Sequence, residues 1–176
     1  MPLYDAAGRL VFPEPAPHRA APPEKSEGLL VHSAYCPRGH PLVRPEHPRF
    51  RGKPGIGVRC RAGDRAGLVV LSPFGGDKRK ACEVEFPVGT VVEVACPACR
   101  EPLPLLAPHD CRPGASYVAL FLRPEPDWTQ VLALCNAWDC PAAFLRRGDR
   151  VVAEFQSRVL PEPVPDLPQA GGVKTP

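Results

Sequence analysis

The chain has 176 residues, enough for one ordinary domain or two small ones, and its 26 prolines remove backbone donors wherever they cluster. Its formal net charge of +3 counts eight cysteines as neutral, and one zinc ion on four thiolates would bring the total to about +1, so overall charge selects no class of partner. No apolar run is long enough to cross a bilayer and the first residues lack a charged lead before an apolar core, so the expectation is a cytoplasmic protein whose cysteines are metal ligands or buried residues rather than disulfides.

Prolines crowd both ends, in Pro13-Glu14-Pro15-Ala16-Pro17 with Pro22-Pro23, and in Pro161-Glu162-Pro163-Val164-Pro165 with Pro168. Residues 1–27 are therefore expected to form a flexible arm, with Leu10-Val11-Phe12 as its one apolar triplet, and residues 161–176 a flexible tail. The body between them reads as two β regions, 28–90 and 91–160. Only ten Trp, Tyr and Phe lie outside Tyr4 and Phe12, so the core is modest and bound metal would help to hold it.

The first chemical feature is Cys36-Pro37-Arg38-Gly39-His40, a thiol and an imidazole on one turn in which glycine can take the left-handed backbone such knuckles need. Cys36 and His40 are half of a site and need two more ligands. Residues 31–65, which include this turn, hold Arg38, Arg44, Arg49, Arg51, Lys53, Arg59, Arg61 and Arg65 against Glu46 and Asp64. Arg44, Arg49, Arg51, Lys53 and Arg59, around a Phe50 expected to be exposed, form the candidate surface for a nucleic acid or a protein partner.

Ile56, Val58 and Cys60 alternate as one face of a strand, and Leu68-Val69-Val70-Leu71 and Ala81–Phe86 read as a hairpin around a Ser72–Asp77 turn. In its second strand Cys82, Val84 and Phe86 point inward, Glu83 and Glu85 outward. Gly75-Gly76 lacks the following Lys-Ser or Lys-Thr of a phosphate loop. Val91–Val94 then alternates into Cys96-Pro97-Ala98-Cys99, a tight turn that can aim two sulfurs at one ion.

His109 and Cys111 are spare ligands on the next loop. Tyr117–Leu122 is a continuous apolar run and the expected most buried strand. Asp127-Trp128-Thr129-Gln130 suits a helix cap or the approach to a strand. Cys135 and Cys140 flank a four-residue turn, and Gly148-Asp149 turns a terminal hairpin.

The order Cys96-x2-Cys99, 35 residues, Cys135-x4-Cys140, with strands on both sides of each turn, resembles the zinc-ribbon class over residues 91–147. That resemblance implies a mainly β fold of small antiparallel hairpins and one ion held by Cys96, Cys99, Cys135 and Cys140. The remaining candidates, Cys36, His40, Cys60 and Cys82, make a second site by elimination. Two other groupings stay open. One joins Cys36 and His40 to Cys96 and Cys99 and assigns Cys111, Cys135 and Cys140 to the second ion; the other completes Cys96 and Cys99 with His109 and Cys111.

A site with no open coordination position is structural, and the sequence carries neither a His-Glu-x-x-His nor a deaminase pattern, so no enzyme and no small-molecule substrate are expected. The leading expectation is a non-catalytic module with two zinc ions that binds another protein, as an adaptor or accessory subunit. The alternatives are a nucleic-acid-binding ribbon and a rubredoxin-like redox protein with iron in a four-thiolate site.

Overall fold

The structure is a computed structural model that describes residues 29–155. The Pro-rich arm 1–27, its Leu10-Val11-Phe12 triplet and the tail 161–176 lie outside the described residues. Within them the fold is all strand, without a helix, as the β-branched alternation and dense proline lead one to expect. No helix among these residues is long and apolar enough to cross a membrane.

A short ribbon of β1 (Arg49–Phe50) and β2 (Lys53–Pro54) precedes two antiparallel sheets. The first holds β3 (Ile56–Ala62), β4 (Arg65–Leu71), β5 (Lys80–Cys82) and β6 (Glu93–Ala95), in the order β5-β4-β3-β6. The second is a meander of β7 (Leu105–Pro108), β8 (Ser116–Phe121), β9 (Gln130–Cys135), β10 (Ala143–Arg147) and β11 (Arg150–Phe155), each strand beside its sequence neighbour. The β10–β11 turn is at Gly148, in the left-handed region at φ 66°, as a Gly-Asp hairpin requires.

The two sheets bury their facing sides in one apolar cluster. Val58, Cys60, Val69 and Val94 come from the four-stranded sheet, and Val118, Leu120, Leu132 and Leu145 from the five-stranded one. The period of two in each strand produces this: Val118 and Leu120 enter the shared core, while Ala119 and Phe121 face outward into a second cluster with Val131. Cys82, Val84 and Phe86 alternate with exposed Glu83 and Glu85, although only the first of these five is in a strand. The core spans both sequence regions, since β6, from beyond residue 90, pairs with β3 through Cys60↔Val94.

One local expectation changes and one open alternative is resolved. Phe50 is buried, 1% exposed, against Val70 and Ala81 on the outer face of the four-stranded sheet. Its arginine and lysine neighbours suggested exposure, but the β1–β2 ribbon folds the ring under itself. Asp127 starts no helix: its carboxylate accepts from the Thr129 amide at 2.9 Å and hydroxyl at 2.6 Å, closing a turn that leads into β9.

Candidate metal centres

The described residues contain two groups of three cysteines and one histidine, Cys36, His40, Cys96 and Cys99 in one and His109, Cys111, Cys135 and Cys140 in the other. In each, one donor atom per residue lies within 4.8 Å of all the others.

The inner group joins two turns. The Cys36 turn is closed by the Gly39 amide donating to the Cys36 carbonyl at 2.9 Å, with Gly39 at φ 79°, and by the Cys36 amide donating to the His40 carbonyl at 3.1 Å. The Cys96 turn hangs from the end of β6. The Arg100 amide donates to the Cys96 carbonyl at 2.8 Å, and Arg100 itself takes φ 61°. The Ala98 and Cys99 amides are aimed at the Cys96 sulfur and the Glu101 amide at the Cys99 sulfur, the usual way a knuckle supports thiolates. Arg38 and Glu101 form an ion pair from one turn to the other. The Cys36 sulfur lies 3.4 Å from His40 Nδ1 and 4.0 Å from the Cys99 sulfur.

The outer group sits at one end of the five-stranded sheet. The register Pro108↔Ser116 and Tyr117↔Cys135 brings the β7–β8 loop beside the β9–β10 turn, so His109 and Cys111 meet Cys135 and Cys140. The Cys135 sulfur lies 3.2 Å from His109 Nδ1 and 3.6 Å from the Cys111 sulfur, and the Cys140 sulfur is 3.8 Å from the same imidazole nitrogen. Tyr117 holds the His109 ring, centroid to centroid 4.7 Å. The Ala137 amide donates to the Cys135 sulfur at 3.4 Å. Arg112 lays its guanidinium over the backbone of Gly89, which at φ 82° has no side chain in the way.

These separations fit a tetrahedral ion. With sulfur about 2.3 Å and nitrogen about 2.0 Å from a central metal, tetrahedral geometry places donors roughly 3.5–3.8 Å apart. The observed separations of 3.2–4.0 Å surround that value. Burial pushes the Cys96 thiol up to about 11 and the Cys135 thiol up to about 12, so an arriving ion must displace protons there. Cys99 is the opposite case. Burial pushes it up, but the Glu101 amide and its cysteine neighbours outweigh that and leave it below the ordinary thiol value.

The structure thus unites Cys36 and His40 with Cys96 and Cys99, one of the groupings left open by the sequence. It does not bring Cys96 and Cys99 to Cys135 and Cys140, the set implied by the zinc-ribbon resemblance. β7, β8 and β9 take up the intervening chain and carry the second pair to the far end of the other sheet. Cys60 and Cys82 join neither group. Both are on strands of the four-stranded sheet, Cys60 in the core, where burial pushes its thiol up to about 12. His109 completes the outer group, and its spacing from Cys111 was the sequence signal for it.

Of the basic candidates Arg49, Arg51 and Lys53 share the β1–β2 ribbon, and several have partners within the chain. Arg44 is 3.6 Å from Glu46, Arg49 donates to the Gly52 carbonyl at 3.0 Å and Arg51 stacks over Phe74 at 5.2 Å. Lys53 is exposed and Arg59 half-buried.

No family model, curated protein or solved structure matches the chain.

Proposed function

We propose that this protein is a non-catalytic β module held by two structural zinc ions, acting as an adaptor or small accessory subunit of a larger protein complex. The observation that carries the zinc reading is that each group offers three sulfurs and one imidazole at tetrahedral spacing, which fills a four-coordinate shell from protein donors alone. Such a shell leaves no position for an activated water, so the role it supports is stapling. Borderline-soft zinc suits this donor set, and the four-thiolate set of a rubredoxin-like iron centre is not among the described groups, because each contains a histidine.

Support for a protein partner comes from the edges of the five-stranded sheet. Among the described residues β11 is an edge strand with Val151 and Val152 about half exposed, and the opposite edge strand β7 exposes Leu105. Apolar side chains on an open strand edge are costly in a solitary protein and serve a partner that adds a strand. The nucleic-acid alternative loses its stacking ring with Phe50 buried, and Arg38, Arg44 and Arg61 are each paired with a glutamate.

Two measurements test the proposal. Elemental analysis of the purified chain is expected to give two zinc ions per molecule. Size-exclusion chromatography of protein recovered from its native cells is expected to show a complex; elution only as a free monomer overturns the adaptor reading.

A further inference from the structure

The two groups differ in what surrounds them. Cys36 and Cys96 are 0% exposed and belong to the main core cluster, with Cys99 packed against it. The sulfurs of the outer group lie outside all three apolar clusters, and Cys111 is solvent-exposed on the β7–β8 loop. That loop, residues 109–115, is exposed at five consecutive positions from Asp110 to Gly114. Its internal backbone bonds run from the His109 amide to the Ala115 carbonyl at 2.9 Å and from the Ala115 amide to the Arg112 carbonyl at 3.1 Å. The Cys111 and Cys135 sulfurs are 3.6 Å apart, while a disulfide needs about 2.05 Å, a closure within reach of the exposed Cys111 side chain even with Arg112 of the same loop packed over Gly89.

We propose that the outer group is an oxidation-gated metal site: peroxide converts Cys111 and Cys135 to a disulfide and releases the ion there, while the inner group keeps its own. This rests on reading both groups as metal ligands and adds how one of them is regulated. In the step, the two thiolates lose one electron each and join in an S–S bond, the peroxide O–O bond breaks, and two protons from solvent complete two waters. His109 and Cys140 remain as two donors, too few to retain zinc. Cys111 is the one exposed cysteine among the described ligands, Cys99 being half-buried like Cys135 and Cys140, so a two-electron oxidant meets the outer group first. The fold survives because the Ser116 amide still donates to the Asn136 side-chain oxygen at 2.8 Å and the β8–β9 ladder is untouched.

The experiment uses the full chain loaded with zinc and exposed to limiting hydrogen peroxide, with released zinc followed by a colorimetric indicator and disulfides mapped by peptide mass. The expected result is prompt release of one equivalent, on the order of tenfold or more faster than the second, together with a Cys111–Cys135 linkage and intact Cys36, Cys96 and Cys99. A dithiol reductant should then restore uptake of the second ion. Prompt zinc and the Cys111–Cys135 linkage should appear with the same time course, while circular dichroism keeps the strand signal throughout the prompt phase. Loss of both equivalents in step, a Cys96–Cys99 disulfide formed first, or prompt zinc released well ahead of any Cys111–Cys135 linkage overturns the proposal and leaves the metal reading standing. A chain that takes up no zinc at all removes both.

Discussion

Tyr35 and Phe121 exchange backbone hydrogen bonds in both directions, the Tyr35 amide donating to the Phe121 carbonyl at 2.7 Å and the Phe121 amide to the Tyr35 carbonyl at 3.0 Å. The residue after Tyr35 is Cys36, so the first knuckle is tied to β8 of the five-stranded sheet. Its partners Cys96 and Cys99 hang from β6 of the four-stranded sheet. An ion in the inner group therefore ties the two layers across their shared core, whereas one in the outer group joins two loops of a single sheet.

That asymmetry predicts unequal costs. Structural zinc contributes on the order of 10–16 kcal/mol of apparent binding energy, comparable with or larger than the roughly 5–15 kcal/mol by which domains are stable. Cys96→Ala is expected to abolish the cooperative thermal transition, as is prolonged treatment with a strong chelator. Cys140→Ala should leave a cooperative transition at a lower midpoint. Thermal melts followed by circular dichroism check both, and a chelator-treated chain that keeps its native melt would remove the stapling role.

Cys60 separates a core thiol from a ligand. In an unfolded chain it ionises near the ordinary 9.0, whereas in the fold burial, reinforced by neighbouring Cys82, keeps it neutral to about 12. A raised folded pKa means that the contribution to stability is fully present below pH 9 and is lost as pH climbs from there toward 12, at up to about 1.4 kcal/mol per pH unit. Cys60→Ala is expected to cost about 1 kcal/mol at neutral pH, to flatten this alkaline loss and to leave zinc stoichiometry unchanged. Urea melts at pH 7 and at pH 10, beside metal analysis, decide it.

Strand positions and knuckle sites were legible because both are local. Alternation at Ile56-Val58-Cys60 marks a face, and Cys-x2-Cys marks a turn that aims two sulfurs one way. Which knuckle meets which was not legible, because sheet order decides it. The pairing of β6 with β3 carries Cys96 to Cys36, and the register Tyr117↔Cys135 carries Cys135 to the His109 loop. Linear spacing contains neither pairing. Phe50 failed for a related reason: its charged neighbours describe the ribbon's outer side, and the ring is on the inner one.

Gly39 links the turn to its seat. Its φ of 79° is in the left-handed region, and a Cβ there would lie 3.0 Å from the Pro124 carbonyl oxygen in the β8–β9 connection. Backbone strain of about 1–2 kcal/mol would be joined by a contact with backbone that cannot swing away. Gly39→Ala is expected to lower the inner group's zinc affinity on the order of tenfold or more, as that strain implies, and to leave the outer group's affinity unchanged. Competition titration with a chelating dye resolves the two sites.

Asp77 and Arg79 close the turn between β4 and β5, with side chains 1% and 8% exposed and a carboxylate-to-guanidinium distance of 2.8 Å. Ser72 adds a hydroxyl donor to the same carboxylate at 2.6 Å. Burial alone would raise the Asp77 pKa, but the bonds from Arg79 and Ser72 outweigh it and hold the carboxyl below its usual range. A depressed folded pKa means this contribution is present above the unfolded carboxylate pKa and is lost as pH falls through the folded value. Removing this buried carboxylate takes with it its charge-assisted bonds to Arg79 and Ser72, which costs about 1.5–3 kcal/mol. Asp77→Ala should therefore destabilise the protein by that order at pH 7 in urea melts, and the difference from the unmodified chain should shrink once pH falls far enough to protonate Asp77. A substitution that is silent at pH 7 would mean the pair is solvated in solution.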